Sequence, residues 1–112
     1  MGTEPGEDQH LFHLALRADW EAAQATGEYR VSTLGRTLEQ EGFLHASYRS
    51  QVDGVRTAFY ADVTEPLVLL EIDPELLDVP VVVEVPDGAD EAFPHLYGPL
   101  RIDAVVAVHP VG

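Results

Sequence analysis

Apolar positions recur at two spacings along this chain, and the spacings divide it into strands and helices. The stretch HLFHLAL, 10–16, alternates aromatic and branched residues closely enough to predict a first strand. Asp19 is a good N-cap for the run WEAAQATG, with Glu21 in its first turn and Gly27 as C-cap. EYRV follows as a short extended piece, and Ser32 or Thr33 caps a second short helix that runs through Glu41 and stops at Gly42. GFLHAS, 42–47, reads as a compact apolar strand. In QVDGVRTAFYADV, capped by Ser47 or Ser50, Val52, Val55, Phe59 and Val63 repeat at helical spacing. PLVLLEID and VPVVVEVPD read as buried strands, with Pro80 and Pro86 marking the ends or an edge location of the second. PDGADEAFPHLYGPLRIDA is expected to be the longest loop, and AVVAVHPVG the closing strand. Helices early and strands late predict an α+β fold with a mixed or antiparallel sheet rather than a doubly wound one.

Composition narrows the class. The 112 residues suffice for one domain with a single modest core. Residues 1–9 are polar, acidic and broken by Pro5 and Gly6, which predicts a disordered leader ahead of one α+β domain over 10–112. No apolar run approaches the length of a membrane helix, and Gly6 breaks the myristoylation pattern, so a soluble cytoplasmic protein is expected. Cysteine and lysine are both absent, which excludes disulfides, thiolate chemistry and Schiff-base catalysis. Twenty acidic residues against six arginines give a net charge of −14, which speaks for solubility and against nucleic acid as a partner.

Candidate chemistry sits on histidine. His13, His45 and His95 each lie within or beside an apolar segment, where an ionisable ring needs a partner. Singly, each reads as a core histidine satisfied by backbone carbonyls; together they define a site able to move protons near neutral pH. Arg17 stands four residues beyond His13, at the strand-to-helix corner. Ser47 and Tyr97 each follow a histidine by two, hence on its face if the strand continues. Glu71, in an apolar strand, either points out of the sheet or pairs within it, and Trp20 serves the core or a stacking surface. His10 and His109, near the chain ends, are expected to face water. Three histidines from separate elements can hold zinc, but no H-x-H or H-E-x-x-H spacing supports it, and no metal is expected. No serine lies in a G-x-S-x-G elbow, and no glycine-rich phosphate loop is present.

The stretches LFHLALRADWEAAQATGEYR, EGFLHASYRSQV, LVLLEID and FPHLYGPLRIDAVVAVHP resemble the signatures of a small bacterial family, the domain-of-unknown-function family 952. Ala46 stands where relatives often carry cysteine. The resemblance implies a split-sheet fold similar to that of the NAD-dependent ADP-ribosyltransferases. On that plan His13 keeps the place of the histidine that bonds the cofactor's ribose. His45 stands near the usual stacking tyrosine and His95 near the usual catalytic glutamate. A histidine there cannot replace a carboxylate that stabilises an oxocarbenium-like sugar, so the resemblance implies an architecture more than an activity.

Two functions are therefore expected, beside a purely structural role in which the histidines form a satisfied polar network. One is an enzyme acting on a small anionic or nucleotide-like ligand, NAD among them, with His13, His45 and His95 as acid, base or hydrogen-bond donors. In it Arg17, Ser47 and Tyr97 line the ligand's rim. The other is a non-catalytic ligand- or partner-binding module with a degenerate transferase cleft. The proline- and glycine-rich segment around His95 is expected to hold that ring as a stiff loop.

Overall fold

Two three-stranded antiparallel sheets organise the chain in a computed structural model that describes residues 10–33 and 35–111. The expected leader, 1–9, lies outside the described residues. In the first sheet β6 (Leu67–Ile72) is central, flanked by β1 (Leu11–Leu16) and β10 (Val105–Val111). In the second, β8 (Phe93–Leu96) is central, between β5 (Leu44–His45) and β7 (Val81–Glu84). Smaller pairs join β2 (Glu28–Tyr29) to β9 (Leu100–Arg101) and β3 (Val31–Thr33) to β4 (Arg36–Thr37). Every strand pair among the described residues is antiparallel, as the α+β expectation allows. Among the described residues no helix is long and apolar enough to cross a membrane.

Alternation along the strands makes two cores. On one face of the first sheet Leu11, Ala15, Val68, Leu70 and Ile72 meet Leu44 and Leu96 from the second sheet, together with Tyr29. Ala23 and Trp20 of α1 (Arg17–Thr26) close this core, so Trp20 packs rather than presenting a stacking surface. On the other face Phe12, Leu14, Leu67 and Leu69 pack on Val52 and Val55 of α3 (Val52–Phe59) and on Tyr60. Each large apolar side chain buried this fully contributes about 1.5–3 kcal/mol.

Several local expectations shift by a few residues. α1 starts at Arg17, with Leu16 as N-cap and no capping side chain, so Asp19 lies in the first turn. Ser32 and Thr33 belong to β3; the cap of α2 (Leu38–Glu41) is Thr37, which accepts from the Gln40 amide while the Gln40 side chain accepts from Thr37. Gly27 and Gly42 end their helices as expected, both at positive φ (87° and 89°). A 3-10 turn over Arg49–Gln51 precedes α3, so neither Ser47 nor Ser50 caps it, and the helix ends at Phe59 rather than Val63.

The larger correction concerns FPHLYGPL. It is no loop: its first half is the central strand of the second sheet. Pro94 lacks an N–H, which favours a loop reading, but its carbonyl still accepts from the Ala46 amide at 3.0 Å. VPVVVEVPD is not buried either. β7 is an edge strand, and Val83 is 54% exposed.

Gly98 explains the glycine of that segment by space. A Cβ there would overlap Cγ1 of Val79 and stand 3.0 Å from its Cβ. Gly98→Ala is expected to cost roughly 1–3 kcal/mol, a fall of several degrees in Tm by circular-dichroism melting. Combined with Val79→Ala it should cost less than the sum of the single losses; strictly additive losses would show that Val79 is not the obstacle.

Candidate functional site

The second sheet has a core face and a site face. Leu44, Ala46, Pro94 and Leu96 point to the core, so period-2 alternation turns Phe43, His45, Phe93, His95 and Tyr97 the other way. His45 and His95 are direct cross-strand partners, and Val82 stands opposite His95 from the other side, which brings Glu84, two residues on, to the same face.

Each of two histidines is held by its Nδ1. His13, from β1, donates Nδ1–H to the His45 carbonyl at 2.5 Å. His95 Nδ1 lies 2.7 Å from Oε1 of Glu84, which also accepts the Tyr97 hydroxyl at 2.6 Å. A carbonyl and a carboxylate can only accept, so both rings carry a proton on Nδ1, and in the neutral ring Nε2 keeps a free lone pair. Phe43 stacks on the His95 ring, 4.0 Å between centroids at 13°. The His45 and His95 rings lie 5.6 Å apart, and His45 leans on Phe93 at 5.0 Å.

The Nε2 atoms of His13, His45 and His95 are all buried and make no hydrogen bond. His13 lies close enough to the Val31 carbonyl for it to favour protonation, but no bond of good geometry forms at Nε2. Native interiors leave few polar atoms in this state, at a cost of about 1–3 kcal/mol each. The expected alternative, a core histidine satisfied by backbone carbonyls, describes His13 at its Nδ1, while His95 is held by a carboxylate instead.

His45 sits between two spaces. A cavity of about 10 Å³, room for about one water, is lined by His13, His45, Ser32, Ser47 and Tyr60. A cleft of about 460 Å³ opens on the far side, over His45 and His95, between α3 and the 86–91 loop. Burial drives the His45 pKa down to about 4, and the neighbouring His13 and His95 push the same way against a weaker opposing effect of Glu41. Burial also lowers His13, outweighing the His45 and Val31 carbonyls. Hydrogen bonds from Tyr97 and His95 hold the Glu84 carboxyl below its ordinary range, and the same contact raises Tyr97.

The expected rim residues divide. Ser47 is buried beside His13 and His45 in the small cavity, its backbone paired with Phe12. Tyr97 reaches the site through Glu84. Arg17 does not: it is exposed at the start of α1 and lines neither space. Glu84 was not singled out from the sequence, although a carboxylate flanked by valines in VPVVVEVPD is its signal. Among the described residues no cluster of three or more His, Asp or Glu side chains is placed to hold a metal ion.

A second histidine group lies on the opposite side of the first sheet. Glu71 accepts from His10 Nδ1 at 2.6 Å and from His109 Nε2 at 2.8 Å. The terminal histidines therefore bind Glu71 rather than facing water unpaired, and these bonds hold its carboxyl low even though burial alone would raise it.

With this geometry in view, the chain's relationships are informative. The model of the family "Protein of unknown function (DUF952)" matches residues 14–108, and the chain belongs to this family. The match begins one residue after His13. The crystal structure of protein CC0527 from Caulobacter crescentus is similar, with a TM-score of 0.78 and 28% identity over 92% of this chain and 86% of that one. The solution NMR structure of CC0527 gives 0.71 and 29% over 89% and 82%. No curated protein matches the chain significantly.

The histidine pKa values set a pH dependence. Unfolded, His45 and His13 bind protons near pH 6.5; folded, they resist it, so the unfolded chain takes up more protons as pH falls below 6.5. Stability is therefore fully retained above about pH 6.5 and lost progressively down to about pH 4. Carboxylate protonation at Glu71 and Glu84 enters only below about 4.5. Urea unfolding between pH 7.5 and 4.5 should show this fall, and His45→Gln should flatten it; identical slopes for the two proteins would contradict the assignment.

Proposed function

We propose that this protein binds a small molecule in the cleft over His45 and His95 and acts on it by histidine-mediated proton transfer. The observation that carries the reading is that both Nε2 atoms are unpartnered while both rings line the same cleft. Glu84 fixes the His95 tautomer and stabilises the imidazolium formed when Nε2 takes a proton, with Tyr97 steadying the carboxylate. His45, neutral at pH 7, offers a ring nitrogen for a hydrogen bond with the ligand beside it. The two sheets bearing His13 on one and His45 and His95 on the other are consistent with the ADP-ribosyltransferase plan, which we carry forward as architecture and not as chemistry. On that plan His95 stands in for the glutamate and brings a base in place of a permanent charge.

A thermal-shift screen of metabolites, repeated with His95→Gln and Glu84→Gln, tests this. Ligands that raise the Tm of the native protein should lose that effect in His95→Gln. Incubation of those ligands with native protein, followed by mass spectrometry, should show turnover that Glu84→Gln slows by about 10²-fold. Ligands bound equally by native and His95→Gln protein would sink the proposal. Binding without any turnover would leave a non-catalytic module in its place.

A further inference from the structure

The expected ligand was anionic, held by an arginine. The cleft is lined otherwise. Glu41, Asp87, Asp90 and Glu91 bring four carboxylates to its wall, and no arginine is among the described lining residues. Arg36 pairs with Glu41 at 2.7 Å, but neither Asp87 nor Asp90 has an ion-pair partner among the described residues. Gln51 donates to Glu91 at 2.9 Å and to the Ala92 carbonyl at 2.8 Å, which ties the acidic loop to the start of α3.

The floor repeats the pattern. His95 is 2% exposed, and its free Nε2 is an acceptor because Glu84 holds the proton on Nδ1. His45 adds a second unpartnered Nε2, an acceptor in the tautomer that carries its proton on Nδ1. Phe43, Phe59 and Phe93 supply aromatic surface around these acceptors. Carboxylates and imidazole lone pairs accept and do not donate, and aromatic faces attract cations. A phosphate or pyrophosphate would meet like charge here, in a chain already at −14.

We infer that the ligand is a small organic cation bearing N–H donors, a primary ammonium or guanidinium group. Its charge faces Asp87, Asp90 and Glu91, its N–H groups reach His45 and His95, and its apolar part lies on the phenylalanines. A metal cation does not fit the same lining, since no three ligating side chains among the described residues are placed to share one. The cleft's volume, about 460 Å³, is ordinary for a small-molecule site. This inference rests on the cleft being the binding site, and it adds the ligand's charge class.

NMR titration of the full chain with four probes separates these ideas: 2-phenylethylamine, its neutral analogue 2-phenylethanol, phenylacetate and AMP. The amine should perturb His45, His95 and Phe43 resonances with a Kd on the order of 1 mM or tighter, and the other three should bind at least about tenfold more weakly. Added salt and the triple variant Asp87→Asn, Asp90→Asn, Glu91→Gln should weaken the amine about tenfold while leaving the far sheet's spectrum unchanged. Failure of the amine to perturb the cleft, or equal or tighter binding of alcohol, phenylacetate or AMP there, overturns the cation inference. Amine binding that depends on the carboxylates but survives His95→Gln undamaged upholds the charge class and overturns the histidine-centred reading.

Discussion

The pleat of one four-residue strand governs this site. Along β8 the side chains of Pro94 and Leu96 go into the core shared by the two sheets, and Phe93 and His95 are thereby forced onto the opposite face. A slip of one residue would bury two aromatic and ionisable groups among Leu44, Leu70 and Ile72 and expose Leu96. The apolar penalty for that slip holds the register, and the register aligns His95 with His45 on one side and with Val82 on the other. Glu84 then reaches His95 diagonally. The histidine-bearing face is thus a by-product of core packing, which keeps it rigid without a dedicated framework.

Burying neutral imidazoles with one nitrogen unsatisfied is costly, and the chain meets that cost in a consistent way. The Nδ1 of His13 and His95 are anchored, one to the backbone of the neighbouring sheet and one to a carboxylate, while Nε2 is left open. The His13 bond also ties β1 to β5 across the core, so the two sheets are linked through the site itself. Glu71 shows the contrasting arrangement: there a carboxylate is flanked by two histidines and every named atom is paired, as structural groups usually are. The difference between a closed histidine cluster and an open one separates the two sides of this molecule.

Much of this was legible in the sequence. Alternation in HLFHLAL and the apolar run PLVLLEID located the edge strand β1 and the central strand β6 of the first sheet, and Gly27 and Gly42 marked helix ends at the positions where positive φ is required. The spacing of two between His45 and Ser47, and between His95 and Tyr97, placed each pair on one face. The reading failed where local chemistry and tertiary pairing disagree. Pro94 pointed to a loop because proline weakens a strand locally, whereas pairing on both sides of β8 outweighs it. Glu84 depended on β7 pairing with β8 across the 85–92 connection, which reads as part of a loop, and Arg17 on being exposed in the first turn of α1.

The central claim is that the site presents free Nε2 lone pairs on histidines whose protons are fixed at Nδ1. A long-range ¹H–¹⁵N correlation spectrum of the histidine side chains at pH 7.5 reads this directly. His13 and His95 should both appear as neutral Nδ1–H tautomers, with their Nε2 signals at the chemical shift of an unprotonated, acceptor nitrogen. A His95 ring protonated at Nε2, with Nδ1 bare, would contradict the account, because Glu84 would then hold nothing and the cleft would face a donor.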